Sequence, residues 1–141
     1  MPSIFSKIIQ GELPAEKVYE TASELAFLDI NPKSDGHTLV VPKLEVADFD
    51  ALPPAELQSL ISTVQLVTRG VTRAMGTPHY NLFLNNGAPA GQVIFHVHFH
   101  IVPRHQRGGR SGLPGGYGAG RIEEVGEKIR AAIGELQSGR A

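Results

Sequence analysis

Three histidines stand at alternate positions in His96-Val97-His98-Phe99-His100, and His105 follows, so four of the six histidines fall within ten residues. The alternation predicts an extended strand over Val93–Val102, with the three imidazoles on one face and Val97, Phe99 and Ile101 on the other. Successive histidine Cα atoms would then lie roughly 6.5–7 Å apart. Two chemistries fit this platform. Neutral imidazole is a zinc ligand, and His-x-His spacing on a strand lets two rings converge on one ion. It is also a nucleophile, with neighbouring rings carrying protons or stabilising charge.

The surrounding charge bears on the choice. From Leu57 to Ile122 there is no Asp or Glu, while Arg69, Arg73, Arg104, Arg107, Arg110 and Arg121 fall in that span. A catalytic zinc site wants a carboxylate as ligand, partner or base, which would have to come from elsewhere, for example Asp29. An acid-free, arginine-bearing surround suits an anionic substrate, phosphate above all. The loop before the histidines, Asn85-Asn86-Gly87-Ala88-Pro89-Ala90-Gly91-Gln92, is built of small residues and amides. Gly91 allows close backbone approach, so N–H groups can face phosphate oxygens. Asn85 and Gln92 can donate hydrogen bonds without adding charge. The formal net charge of −1 hides a polarised chain: divided after Gly70, it carries −5 and then +4.

These residues need elements to hold them. A short helix is predicted near Phe5–Gln10, ending at Gly11. Val18–Glu20, Leu25–Ile30, His37–Pro42 and Tyr80–Leu84 read as strands beside the histidine strand. Asn31-Pro32-Lys33-Ser34-Asp35-Gly36 is a turn cluster. Pro53-Pro54-Ala55-Glu56 opens a long helix, with Pro in the first turn and Glu56 complementing the dipole. Its apolar stripe runs Leu57, Leu60, Ile61, Val64, Val67, Val71 and Met75, and Gly76 is its stop. Arg104–Gly120 is rich in Gly and Arg and reads as irregular. Ile122, Val125, Ile129, Ile133 and Leu136 mark a last amphipathic helix. Short strands without βαβ alternation predict an α+β fold with a mainly antiparallel sheet of about five strands, one long helix and a C-terminal helix.

Composition removes several classes. The 141 residues suit one domain, 1–141, and show no repeat on the scale of about 20–50 residues. There is no cysteine, hence no disulfide, thiolate zinc site or cysteine nucleophile. No apolar run approaches the roughly 20 residues of a membrane span, and Met1-Pro2-Ser3-Ile4-Phe5 lacks a signal-peptide core, so a cytoplasmic protein without a membrane partner is expected. Nucleic-acid binding is not expected, because only Tyr117 interleaves the basic run from Arg104 to Arg121.

Ala90-Gly91-Gln92-Val93-Ile94-Phe95, followed by His96 to Arg104, resembles the signature of the histidine triad (HIT) family, His-x-His-x-His-x-x with x apolar. Ile4-Phe5-Ser6-Lys7-Ile8-Ile9 with Leu13-Pro14-Ala15 is similar to that family's opening segment. Ala26 to Pro32 and Gly36 to Lys43 are similar to its nucleotide-binding half. The likeness covers about residues 4–104, with 105–141 as a variable loop and helix.

The resemblance implies a homodimer joining two sheets. It implies a purine nucleotide substrate, cleaved at the α-phosphate through a nucleotidyl-histidine intermediate to release a nucleoside monophosphate such as AMP. Dinucleoside polyphosphates, adenylated amines and adenylyl sulfate are all candidate substrates. By position His98 is the nucleophile, flanked by His96 and His100, with His37 supporting the triad from behind. Asn85, Gly91, Gln92, Val93 and His100 would line the phosphate site. Asp29, Ile30 and Asn31 would hold the ribose, and Phe5, Ile8 and Phe27 the base. No cofactor is required, and a divalent metal can accompany polyphosphate substrates.

Two departures matter. Some members open with Cys-x-x-Cys and bind structural zinc; here Ser3 and Ser6 hold those places and Glu45 replaces a further histidine, so no zinc is expected there. Val93 stands where some branches carry a hydroxyl that helps an amine leave. Two alternatives stay open: a nucleotide-binding regulatory module with incidental hydrolysis, and a zinc-dependent metallohydrolase.

Overall fold

The computed structural model describes residues 2–105 and 117–139. Helix α1 (Ile4–Ile9) is capped by Ser3, whose Oγ accepts the Ser6 N–H. Strands β1 (Lys17–Glu20), β2 (Glu24–Leu28) and β3 (Thr38–Pro42) follow, then the long helix α2 (Pro54–Met75), β4 (Tyr80–Phe83), β5 (Phe99–Pro103) and α3 (Arg121–Gln137). The sheet order is β1-β2-β3-β5-β4, and every pairing is antiparallel. This is the α+β arrangement that the sequence predicts. Among the described residues no helix is long and apolar enough to cross a membrane.

The centre of the sheet is covered on both faces, so β2 and β3 are buried throughout. Alternation sorts their side chains. Ala26, Leu28 and Val40 join Leu60, Val64, Val67 and Val71 of α2 and Val125, Ile129 and Ile133 of α3. Leu25, Phe27, Leu39 and Val41 pack against Phe5 and Ile8 of α1 on the opposite face. Burying a Leu, Ile or Val side chain contributes roughly 1.5–3 kcal/mol, so the α2–α3 face anchors the fold. Gly70 makes the contact between these helices close, because a Cβ there would overlap Ile133.

Several expectations need correction. Regular strand pairing begins at Phe99 instead of Val93. Ahead of it the chain is held by loop contacts, including Val97 N–H to the Val46 carbonyl at 2.8 Å. Facing nevertheless alternates, since Val97, Phe99 and Ile101 all point to the α2–α3 side. Strand β2 ends at Leu28, because Asp29 Oδ1 accepts the Asn31 N–H and turns the chain. Ile61 leaves the α2 stripe and is 45% exposed, whereas Thr63, Thr68 and Gly70 are buried on that helix. Of the predicted irregular segment Arg104–Gly120, residues 106–116 lie outside the described residues.

Candidate active site

Register places the histidine strand against the nucleotide-sized cleft. His100 lies between Leu39 of β3 and Phe83 of β4. The Phe83 ring stacks on it with centroids 4.5 Å apart and planes within 8°. The cleft, about 770 Å³, opens on the α1 face of the sheet. Phe5, Ile8, Phe27, Asp29, Ile30, Asn31, Asn85, Gly91, Val93, His98 and His100 line it. His37, His96 and Gln92 do not, and all three are buried.

Gln92 is a correction. Its Oε1 accepts the Gly87 N–H at 2.7 Å, and its Nε2 donates to the carbonyls of Ala47 and Ile94, both at 3.1 Å. The amide is spent on bracing the loop and presents nothing to a phosphate. Asn85 and Gly91 do meet at the cleft. Gly91 adopts φ +99°, and a Cβ there would stand 3.4 Å from Asn85 Nδ2. Both the backbone angle and the close amide favour glycine. Val93 is 84% exposed at the rim.

Hydrogen-bond partners assign the imidazole tautomers. His98 Nδ1 lies 2.7 Å from the His96 carbonyl, so Nδ1 carries the proton and Nε2 keeps its lone pair. The His37 Nδ1 accepts the Lys33 N–H at 3.0 Å. Its proton is therefore on Nε2, which donates to His100 Nδ1 at 3.0 Å. That leaves His100 Nε2 as an N–H donor. His96 Nε2 donates to the Pro42 carbonyl at 2.8 Å, and its Nδ1 accepts from Ser3 Oγ at 2.7 Å. One ring at the cleft thus offers a lone pair and its neighbour an N–H, with centroids 4.9 Å apart.

The rings are neutral. Burial lowers all four pKa values. For His37 burial and the charges of His100 and Lys33 take it to about 3. For His100 burial and the charges of His98 and Lys33 take it to about 4. Asp29 shifts the other way: burial raises its carboxyl above the usual range.

This arrangement is a poor fit to metal. Carboxylate and imidazole atoms of Asp29, His37 and His100 gather within 4.8 Å. Yet the proton on His37 Nε2 leaves no lone pair there for an ion. His96 has both nitrogens engaged by Ser3 and Pro42, so His96 and His98 are no ligand pair either.

The arginine surround is a second correction. None of the described arginines lines the cleft. Arg104 donates to Asn81, and Arg121 pairs with Asp35 and Glu124. Arg107 and Arg110 lie outside the described residues. Among the described residues the cation lining the cleft is Lys33, which the sequence offered only as part of a turn cluster. Phe83 was also missed; its signal was its place two residues before Asn85 on the strand beside the histidines.

An antiparallel sheet that mounts alternate imidazoles on the floor of a nucleotide-sized cleft is the arrangement of histidine triad proteins. Residues 10–107 match the HIT domain, and the chain belongs to that family. It is 46% identical over 104 residues to the adenylylsulfatase HINT3 of Arabidopsis thaliana, covering 74% of this chain and 53% of that one. The chain thus spans about half the length of that relative. With the adenosine 5'-monophosphoramidase hnt1 of Schizosaccharomyces pombe it shares 44% identity over 104 residues, 74% of this chain and 75% of the relative. Its fold matches a zinc-bound histidine triad family protein from Mycobacterium smegmatis with TM-score 0.85 and 34% identity, over 96% of each chain.

Proposed function

We propose that the chain is a purine nucleotidyl hydrolase or transferase that cleaves at the α-phosphate and releases a nucleoside monophosphate such as AMP. The carrying observation is the ring pair at the cleft: His98 Nε2 with its lone pair, beside His100 with an N–H on Nε2. Relatives named adenylylsulfatase and adenosine 5'-monophosphoramidase support the reaction class.

The apolar slot between Phe5, Ile8 and Phe27 takes the planar base, and Asp29 takes ribose hydroxyls. His98 Nε2 attacks phosphorus, a P–N bond forms and the bond to the leaving group breaks. Nδ1 keeps its proton, so the ring becomes cationic as it is nucleotidylated. The His96 carbonyl facing Nδ1 stabilises that charge. His100 Nε2–H, Asn85 and Lys33 stabilise the equatorial oxygens. Water then attacks phosphorus, the P–N bond breaks with its electron pair returning to Nε2, and the water's proton leaves to solvent, so that His98 is neutral again. A neutral nucleophile meets less repulsion from the phosphate than a carboxylate would. The reading carries a cytoplasmic location with it.

Among the described residues the cleft lining holds no hydroxyl side chain to assist a leaving group. Substrates that release an anion, such as adenylyl sulfate or a dinucleoside polyphosphate, are therefore expected to outpace an adenylated amine by about 10²-fold in kcat/KM, the lower range of general-acid catalysis. Assay of that panel, with single-turnover trapping of the nucleotidyl-protein adduct, tests both the class and the route. Absence of any adduct while product forms would remove the covalent intermediate, and equal rates would remove the leaving-group preference.

The proposal includes a homodimer joined through β4. That strand is an edge, with Tyr80 and Leu82 each 44% exposed. An unpaired apolar edge is a template for another strand. Light scattering should give twice the subunit mass; a subunit mass at assay concentration rejects the dimer.

A further inference from the structure

Behind the triad lies a cluster that the nucleotide chemistry does not itself use. Glu45 Oε1 accepts the Ser3 N–H at 2.8 Å and the Ser6 Oγ–H at 2.5 Å. Ser3 Oγ accepts the Ser6 N–H at 3.0 Å, which caps α1. The Ser3 hydroxyl proton is left for His96 Nδ1, 2.7 Å away. His96 is fully buried, and its ring spans from Ser3 to the Pro42 carbonyl. The His96 carbonyl in turn holds His98 Nδ1. Contacts separated by 42 and 93 positions in sequence thus form one line from an exposed carboxylate to the nucleophile.

By the family resemblance, these are the positions where zinc-binding members would carry Cys-x-x-Cys and a histidine. Here two hydroxyls and a carboxylate meet, without thiolates, and they are satisfied by one another and by His96. The donor set does not fit a structural zinc.

We propose that Ser3 and Glu45 are positioning residues: they form a metal-free staple in which Glu45 seats the start of α1 against the sheet and the Ser3 hydroxyl, donating to Nδ1, keeps the His96 proton on Nε2, so that the His96 carbonyl orients His98. The staple does two things at once. It fixes the end of α1 that carries Phe5, whose ring meets His96 and His98 edge-on with centroids 5.8 and 5.0 Å away. It also supplies the only side-chain donor recorded for the buried His96 Nδ1 among the described residues. The charged and titratable groups facing His96 are Glu45 and His98. A cationic His96 would oppose the positive charge that His98 acquires on nucleotidylation. The assignment rests on His98 as the nucleophile, but part of its test does not.

The test uses the full chain with Ser3→Ala, Ser3→Thr, Glu45→Ala and Glu45→Gln. Two readouts are followed: steady-state kinetics on adenylyl sulfate, and the His96 ring nitrogens by NMR across pH. Ser3→Ala should lower kcat about tenfold with KM changed much less, and should raise the pH at which His96 protonates by about one unit. Ser3→Thr keeps the hydroxyl and restores both. Glu45→Gln still accepts two hydrogen bonds and should keep kcat near wild type, whereas Glu45→Ala should lower kcat as Ser3→Ala does; because the Glu45 charge favours a protonated His96, neither Glu45 variant should raise its titration. A purely structural role would lower the melting temperature without moving the His96 titration. The proposal is overturned if His96 carries its proton on Nδ1 in the wild type, if Ser3→Ala leaves its titration unmoved, or if a chelator alone removes activity. Should the wild type turn over no nucleotide, the reading of the site falls, and the His96 titration decides the staple by itself.

Discussion

Replacing His98 with alanine should reduce turnover by about 10⁴-fold or more, the scale seen when a covalent nucleophile is removed. No substitute is at hand. Among the described residues the cleft lining contains no Ser, Thr or Tyr, and its second imidazole, His100, has Nδ1 engaged by His37 and its proton on Nε2. Lys33 and Asp29 also line the cleft, but the first is cationic and the second an anion facing an anionic substrate. Nucleotide binding should largely survive, because Ile8, Phe27, Asp29 and Asn85 keep their places and only Phe5 loses the His98 ring packed edge-on against it. The substitution leaves the His96 carbonyl without its donor, at a cost of about 1–3 kcal/mol to folding. AMP affinity by calorimetry, measured beside single-turnover hydrolysis, separates the two effects. Near-normal kcat in His98→Ala would strike His98 from the role; loss of binding together with turnover would show a damaged cleft instead.

Much of this site was legible because its logic is local. The period-two pattern fixed which side chains of residues 96–101 share a face, even where no regular strand forms. Pro54 and Gly76 marked the ends of α2 through capping chemistry. What failed was long-range. Composition put arginines near the histidines in sequence, but spatial neighbours are chosen by sheet register, which brought Lys33 to the cleft instead. Gln92 has the chemistry of a phosphate donor, and only its three partners in space show that its capacity is spent. Ser3 and Glu45 were visible as departures from a zinc pattern. Their bonds to each other and to His96 were not, because nothing local in sequence joins positions so far apart.

The neutral imidazole stack has a consequence for the whole molecule. Folding stability should fall steadily as pH drops from about 6.5 to about 4.5. In the unfolded chain these histidines titrate near ~6.5. In the fold, His37 and His100 are held to about 3 and about 4, and His96 and His98 are lowered in the same direction, chiefly by burial. Above pH 6.5 both states carry neutral rings and the term vanishes. Below it the unfolded chain binds protons that the fold refuses, so each such histidine costs about 1.4 kcal/mol per pH unit until its folded pKa is reached. Carboxylates lowered in the fold, Glu20 and Glu45, add their own loss only as pH falls below their ordinary range, which leaves the window above about 4.5 to the histidines. Asp29, raised by burial, works in the opposite sense, and it is one group against four. Urea unfolding at half-unit steps from pH 7.5 to 4.5 measures the slope. A flat profile would mean that the rings accept protons within the fold, and with them that His98 loses its lone pair at the same pH as free imidazole. A falling profile in the protein that still forms its nucleotidyl adduct at pH 5.5 ties the two together, because the burial that weakens the fold in acid is what keeps the nucleophile unprotonated there.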